Sequence, residues 1–360
     1  MKHLHIALLL TSLLLVGCGA SNEAATDIEP STDSKPTTDS TSETSTTPPE
    51  VVSEPTIPKD GLNVSLFLDG ALAAEPTTQD CTLSDGTETT CYAITVAGTP
   101  ANHEIGPFCP ETTTTPAKDA GIWFDGEGVY DADGEFMLGL AERYNDSNWK
   151  LYDDDGNVRI TDTPEAFDAA ARPNVDPAYQ NYCVEGRMAW LDNGEPVQTT
   201  VVIPVEPTIA PNTTPATGGN LGITLNGVVV AAPAPVDAIL GAYTIATFDD
   251  CGGHINPFEG YHLHGALGCS EVGEAVEGET PIFAYAMDGY AIHSPLSEEM
   301  AAETELDECN GHTTEELGYH YHASPAEENA VLTCLKGLTV EGAMRGPGRG
   351  GPRPGPGGRG

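Results

Sequence analysis

Short runs of alternating apolar and polar residues dominate the chain beyond residue 60, which is the pattern of half-buried β-strands. The runs "CYAITVAG" and "VQTTVVIPV" are rich in β-branched residues and predict strands. The runs "GITLNGVVV", "PIFAYAMDGYAIHSP", "WKLYDDDGNVRIT" and "AWLDNGEPV" contain Asn-Gly or Asp-Gly between extended stretches and predict hairpins. Helices are predicted in "GEFMLGLAERYN" and "TPEAFDAAAR", and a short acidic helix or turn in "SEEMAAETELDEC". The predicted fold class is mainly β with short helices (α+β).

The same patterns divide the chain into five segments. Residues 1–17 begin with a positive charge and continue as an apolar run too short for a spanning helix, which predicts a signal peptide. Residues 18–58 are rich in Ser, Thr, Pro and acidic residues and predict a disordered linker. A β-rich N-terminal segment at 60–206 and a β-rich domain at 218–340 follow, separated by a linker-like Pro/Thr/Gly stretch. Residues 341–360 form a Gly/Pro/Arg tail that is predicted to be disordered.

The nine cysteines indicate the compartment. Gly17 and Cys18 resemble the lipobox of bacterial lipoproteins, so Cys18 is expected to carry a lipid that anchors the protein in the cell envelope, at the periplasm, outer membrane or cell surface. The remaining cysteines form an even set in an exported chain, which favours disulfides over thiolate ligands for a metal. Sequence proximity and the repeat described below favour four pairs, Cys81–Cys91, Cys109–Cys183, Cys251–Cys269 and Cys309–Cys334.

The formal net charge of −41 narrows the choice of partners. Such a chain repels the phosphates of nucleic acids, and no basic patch with interleaved aromatic residues offsets that repulsion. A nucleic-acid partner is therefore not expected. The charge attracts cations, but it indicates no site by itself.

The histidines point to a site because one motif occurs twice. The stretch "DDCGGHINPFEGYHLH" begins at Asp249, and "DECNGHTTEELGYHYH" begins at Asp307 with the same spacing. On a strand, alternate side chains share a face, so each His-x-His pair is directed away from its tyrosine neighbour and can hold one metal ion. Imidazole ligands suit copper and zinc. The six histidines of the two copies, His254, His262, His264, His312, His320 and His322, are the predicted metal ligands, in either one shared site or two pseudo-equivalent sites.

Other interpretations of these residue types remain open. The histidines could be core or surface residues that hydrogen-bond to the backbone and to nearby acids. His293 is a weaker ligand candidate, and His103 is weaker still. Five residues in acidic turns could ligate calcium, but hairpin turns explain them as well, because such turns favour Asp and Asn. They are Asp131, Asp133, Asp153, Asp155 and Asn157.

The motifs "GYHYH", "DECNGH", "YAMDGYAIHSP" and "LNGVVV" together resemble the YHYH-domain family of bacterial exported proteins, over about residues 221–335. The resemblance implies that the segment at 218–340 is a YHYH domain with an internal duplication of its histidine motif. It implies no particular activity. The first copy departs from the family motif, since Leu263 stands where the second copy has Tyr321, which puts a paired role for that tyrosine in doubt.

Three functions fit these observations. The first is an extracytoplasmic, membrane-anchored protein that binds copper or zinc through the duplicated histidine strands. The second is an enzyme at the same site, with metal-assisted hydrolysis or direct histidine acid–base chemistry next to Asp249, Asp288 or Asp307. The third is a structural or adhesion protein of the envelope without a metal. The sequence leaves open whether the protein is an enzyme.

Overall fold

The structure is a computed structural model that describes residues 61–171, 175–273 and 275–343. The predicted signal peptide, Cys18, the linker at 18–58 and residues 344–360 of the tail lie outside the described residues. The described residues belong to one compact unit. Among them, no helix is long and apolar enough to cross a membrane.

The described residues form seventeen strands and four α-helices, with several short 3-10 helices. The strands are β1 (Thr77–Thr82), β2 (Glu88–Val96), β3 (Ile122–Phe124), β4 (Val129–Asp131), β5 (Cys183–Val184), β6 (Thr199–Pro204), β7 (Ile209–Pro215), β8 (Asn220–Thr224), β9 (Val229–Ala231), β10 (Ile245–Ala246), β11 (Gly253–Asn256), β12 (Gly260–Leu263), β13 (Ile282–Ala286), β14 (Ala291–His293), β15 (Gly311–Thr314), β16 (Gly318–His322) and β17 (Cys334–Gly337). The helices are α1 (Gly134–Arg143), α2 (Pro164–Ala170), α3 (Val236–Gly241) and α4 (Glu298–Glu303). The predicted mainly β fold with short helices is confirmed.

Local sequence signals explain where the helices begin. Asp133, Thr163 and Ser297 cap α1, α2 and α4, and each side chain accepts a hydrogen bond from an N–H of the first turn. The predicted hairpin in "AWLDNGEPV" is wrong. Two 3-10 helices lie there, because Asn193 adopts a left-handed conformation with φ of 57° and closes a turn of Asp192–Gly194 without a strand partner.

One large sheet carries the duplication. Its strand order is β11-β12-β9-β8-β13-β14-β16-β15. The hairpin β8–β9, helix α3 and the hairpin β11–β12 form one unit, and β13–β14, α4 and β15–β16 form a second unit with the same order. In each unit the inner strand of the histidine hairpin runs parallel to the second strand of the first hairpin. The repeat therefore extends well beyond the histidine motif.

The register at the centre of the sheet is that of a local two-fold axis. The pairs between β8 and β13 are Gly222–Ala286, Ile223–Tyr285 and Thr224–Ala284. Tyr285 lies 62 positions after Ile223. The same offset relates Gly222 to Ala284 and Thr224 to Ala286, so it converts each outer pair into the other. In the histidine hairpins the offset is 58 positions, from His262 to His320. These offsets define equivalent positions in the two units.

The stretch predicted to link the two segments is a strand. Strand β7 pairs with β17, and its prolines are tolerated because the pair is an isolated two-stranded ribbon. The segments also share a core, since Ile94 and Ile203 pack in one cluster with Ile223 and Phe283. The described parts of the two predicted segments therefore do not have separate cores.

Four disulfides join the described cysteines in the pairs that the sequence favoured: Cys81–Cys91, Cys109–Cys183, Cys251–Cys269 and Cys309–Cys334. The last two each begin in the loop that leads into a histidine hairpin. Each of these disulfides therefore fixes the chain next to one copy of the repeated motif.

Candidate metal centres

The repeated Asp-x-Cys-x-Gly-His motif is a carboxylate-centred loop. Asp249 Oδ1 accepts hydrogen bonds from the backbone N–H groups of Cys251 and Gly253, each at 3.1 Å. The Tyr261 hydroxyl donates to the same carboxylate at 2.8 Å. The loop places His254 at the start of β11, directly opposite His262 on β12.

The second copy is built in the same way. Asp307 Oδ1 accepts from the N–H groups of Cys309 and Gly311, each at 2.9 Å, and Tyr319 donates its hydroxyl to Asp307 at 2.9 Å. His312 then lies opposite His320 in the hairpin. The motif acidic residues Asp249 and Asp307 thus organise the loops that carry the histidines.

The glycine before each outer histidine is required by the neighbouring tyrosine. A Cβ atom at Gly253 would lie 2.3 Å from the hydroxyl oxygen of Tyr261, and one at Gly311 would lie 2.1 Å from that of Tyr319. A side chain at either position displaces the tyrosine that donates to the loop carboxylate.

Replacing Gly311 by Ala is expected to lower the free energy of unfolding by about 3 kcal/mol, the upper end of the usual cost of overpacking a core. Urea denaturation of the variant and the native protein measures the difference. Gly139→Ala is the matched control, because a Cβ there meets nothing within 4 Å and lies in helix α1. An equal effect of both substitutions would show that the contact with Tyr319 is unimportant.

Cluster B consists of His312, His320, His322 and Glu279. Glu279 Oε2 lies 3.4 Å from Nε2 of His312 and 3.2 Å from Nε2 of both other histidines. The distances between histidine Nε2 atoms are 2.9 Å for His312–His320 and 3.1 Å for His312–His322. A tetrahedral ion with bonds of about 2.0–2.1 Å has ligand atoms about 3.3 Å apart. The cluster has approximately the dimensions of a four-ligand site.

Backbone contacts orient two of these rings. Nδ1 of His320 donates to the carbonyl of Gly318 at 3.1 Å, and Nδ1 of His322 lies 3.2 Å from the carbonyl of Ser294. A ring that donates from Nδ1 keeps the lone pair on Nε2, which is the atom that faces Glu279. Outer hydrogen bonds of this kind are typical of metal-ligating histidines.

Cluster A consists of His254, His262 and His264. One ligand atom from each lies within 4.8 Å of the others, and Nε2 of His254 is 3.1 Å from Nε2 of His262. Nδ1 of His262 lies 3.0 Å from the carbonyl of Gly260, which matches the arrangement of His320 and Gly318. All three rings line a cavity of about 890 Å³.

The two clusters are separate pseudo-equivalent sites. They lie on opposite sides of the sheet centre, where β12 and β16 are five positions apart in the strand order. The structure brings all six predicted histidines into these two groups, with three in each.

The units differ around the histidines. Position 217 in the first unit is equivalent to Glu279 in the second, and it is Thr217. Position 231 is equivalent to His293, and it is Ala231. Glu279 was not among the predicted ligands, because it lies in a loop before β13 and outside any recognisable motif.

Burial keeps most of the histidines neutral. It lowers the pKa of His322 to about 3 and that of His293 to about 4, and it lowers the pKa values of His262 and His320. For His254 burial is again the main cause, and its pKa lies well below the usual value. His264 behaves in the same way. Neutral imidazoles are the form that binds metal ions.

Two weaker candidates have different positions. His293 lies beside cluster B, with its ring centroid 4.7 Å from that of His320 and its Nδ1 2.6 Å from the carbonyl of Thr280. His103 lies near Cys251 and Cys269 at distances that suit a metal, but the disulfide between those cysteines leaves no thiolate to bind one.

The remaining acidic candidate, Asp288, is held by hydrogen bonds within the fold. Asp288 accepts hydrogen bonds from the Tyr321 hydroxyl and from the N–H of Gly337, and burial raises its pKa to about 6. In the first unit, Asn226 and Leu263 occupy the positions of Asp288 and Tyr321, so this tyrosine–carboxylate pair is a feature of one unit only.

The turn residues that were weighed as calcium ligands act locally. Asp133 caps α1, and Asp153 accepts hydrogen bonds from the backbone N–H groups of Asp155 and Asn157. These contacts are those of a helix cap and a tight turn. Within the described ranges, none of the aspartates joins a group of three or more His, Cys, Asp or Glu residues that could hold a metal ion.

The fold and site define a disulfide-linked β protein with duplicated histidine clusters. The model of the family described as YHYH protein matches residues 200–305, so the chain contains a YHYH domain. The match includes cluster A and the hairpin β13–β14, and it ends before the second histidine motif. Comparisons with curated proteins and with solved structures gave no match.

Proposed function

We propose that this protein binds two transition-metal ions, copper or zinc, with one ion in each histidine cluster. The observation that carries the proposal is the spacing in cluster B, where Glu279 Oε2 lies 3.2–3.4 Å from three Nε2 atoms. These separations are the edges of a tetrahedral site, and a neutral His320 that donates from Nδ1 to Gly318 has no proton on Nε2 to donate to the carboxylate.

The donor set supports copper or zinc over harder ions. Imidazole nitrogens suit zinc and copper, whereas calcium and magnesium are bound by sets of oxygen ligands. Cluster A offers three imidazoles. Cluster B offers three other imidazoles and one carboxylate. The net charge of −41 favours the approach of a cation.

Metal analysis of the purified full chain tests the proposal. After chelation and titration with Zn²⁺ or Cu²⁺, we expect two bound ions per chain in the native protein and one in His262→Ala or His320→Ala. His103→Ala is the control and should keep two, because its neighbouring cysteines form a disulfide. No stoichiometric metal in the native protein, with unfolding of both variants, would favour a purely structural role for the histidines.

The hydroxyl of Tyr319 is expected to support metal binding indirectly. Because it donates to Asp307 in the loop that carries His312, Tyr319→Phe should weaken binding at cluster B about 10-fold, as loss of outer hydrogen bonds typically does. Isothermal titration with Zn²⁺ measures the affinity. Tyr321→Phe is the matched control: it also removes a hydroxyl bound to an aspartate, but its partner Asp288 lies in the turn between β13 and β14 and not in the loop that carries His312. A similar loss of affinity in both variants would contradict the role of the loop.

The protein is also proposed to be exported and anchored through a lipid on Cys18. Four disulfides suit an oxidising compartment, and the apolar N-terminal run ending before Cys18 has the form of a lipoprotein signal. Cys18→Ser should move the protein from the membrane fraction to the soluble fraction of the cells. Retention of the variant in the membrane fraction would contradict the anchor.

A further inference from the structure

We infer that cluster A keeps one coordination position open to the adjoining cavity and there binds an uncharged organic molecule with a nitrogen or oxygen donor and an apolar body. The ion in cluster B has no such position. This inference rests on the proposed binding of metal ions.

The difference begins with the fourth ligand. In cluster B the Glu279 carboxylate, whose side chain is 6% exposed, completes the set of four. The equivalent position in cluster A is Thr217, which lines the cavity together with the three histidines. Zinc sites with four protein ligands are closed, whereas sites with three keep a position for an exogenous ligand.

Cluster A also has more free space next to its histidines than cluster B. Cluster A faces a cavity of about 890 Å³, which lies within the range of small-molecule sites. In the second unit, His293 replaces Ala231, a residue that lines the cavity, and its ring packs against His320. His320 and His322 are each 1% exposed, compared with 5% for His262 and 7% for His264.

The described lining of the cavity indicates the kind of ligand. Most of it is Ala, Val, Pro, Thr and Gly, and the exposed Glu259 is its one acidic or basic side chain other than histidine among the described residues. The lining also includes Phe258, which is 54% exposed, whereas the equivalent position in the second unit is the exposed Glu316. Apart from the ion itself, the cavity offers an anion no basic partner among the described residues, and the apolar lining favours an apolar body.

Cobalt(II) is a suitable probe, because its visible spectrum reports the coordination of each ion. The full chain is loaded with Co²⁺ and titrated with 4-phenylimidazole, with imidazole as the smaller reference ligand. We expect a spectral change that saturates at one ligand per chain, with 4-phenylimidazole binding about 10-fold more tightly because its phenyl ring is buried in the cavity. Equal affinities for the two ligands would overturn the apolar cavity as the site.

Three variants locate the response. The His320→Ala variant should still show the spectral change on addition of 4-phenylimidazole, and the His262→Ala variant should not. The reverse result would overturn the assignment to cluster A. Ala238→Trp places a large ring in the cavity from α3, where Ala238 is half-buried, and it should weaken 4-phenylimidazole binding at least 10-fold while two Co²⁺ ions remain bound. Unchanged ligand affinity in this variant would also contradict the inference.

Metal binding and the open position at cluster A are tested by different results. If the native chain binds no Co²⁺, the proposed function fails. If it binds two ions but neither ligand changes the spectrum, the metal sites stand and the open position at cluster A is wrong.

Discussion

Saturating the metal-free protein with Zn²⁺ at about 1,000 times the dissociation constant is expected to raise the midpoint of thermal unfolding by about 15 °C. Binding to the native state alone stabilises by about 4 kcal/mol per site at that concentration, so two sites contribute about 8 kcal/mol. For a folded region of this size, each kcal/mol corresponds to about 2 °C. Differential scanning calorimetry of the metal-free and metal-loaded full chain measures the shift.

Single-cluster variants show whether the two sites act separately. His262→Ala and His320→Ala should each retain about half of the shift, because each removes a ligand from one cluster only. His103→Ala should retain all of it. The same shift in all three variants would mean that the stabilising ions bind somewhere other than the histidine clusters.

Acidification is expected to destabilise the metal-free protein strongly between pH 6.5 and about 3. Burial holds the pKa of His322 at about 3 and that of His293 at about 4, below the value of 6.5 in the unfolded chain. A lowered histidine pKa contributes stability that is present above pH 6.5 and is lost as the pH falls toward the folded-state value. At about 1.4 kcal/mol per pKa unit, these two histidines lose about 8 kcal/mol in that window.

Buried Asp288 opposes this trend. Its pKa of about 6 lies above the unfolded value of 3.8, so its destabilising charge disappears as the pH falls from 6 to 4. The offset is about 3 kcal/mol, so His322, His293 and Asp288 together contribute a loss of about 5 kcal/mol. Urea denaturation of the chelator-treated protein at pH 7, 5.5 and 4 measures the slope.

Two substitutions separate these contributions. His293→Gln should flatten the dependence of stability on pH, and Asp288→Asn should steepen it. The comparison with the native slope cancels the effects of the many exposed carboxylates. If His293→Gln leaves the slope unchanged, the buried imidazole is not a source of the acid sensitivity.

The features that the sequence predicted correctly depend on short-range rules. The hairpins β8–β9 and β13–β14 occur where Asn226 and Asp288 precede a glycine, because Gly227 and Gly289 adopt the positive φ that such turns need. The grouping of histidines followed from strand alternation together with a fixed spacing, both of which are local. The disulfide pairs followed from proximity and from the repeat.

The features that the sequence missed depend on tertiary position. Glu279 is far from His320 along the chain, and only the fold of the loop before β13 brings its carboxylate to the imidazoles. The prolines of β7 indicated a linker, but a partner strand more than a hundred residues later makes the stretch a strand. The sequence indicated two similar halves about a local two-fold, but not how far the repeat extends beyond the histidine motif, because most equivalent positions carry different side chains.

The distance across the eight-stranded sheet limits the chemistry that the pair of clusters can perform. Dinuclear catalysis requires two ions about 3.5–4 Å apart, so that one substrate bridges both of them. The two groups share no ligand, and their histidine strands β12 and β16 are five positions apart in the sheet, so each bound ion would act as a mononuclear centre. Magnetic resonance of a doubly copper-loaded chain would accordingly display two isolated spins without exchange coupling.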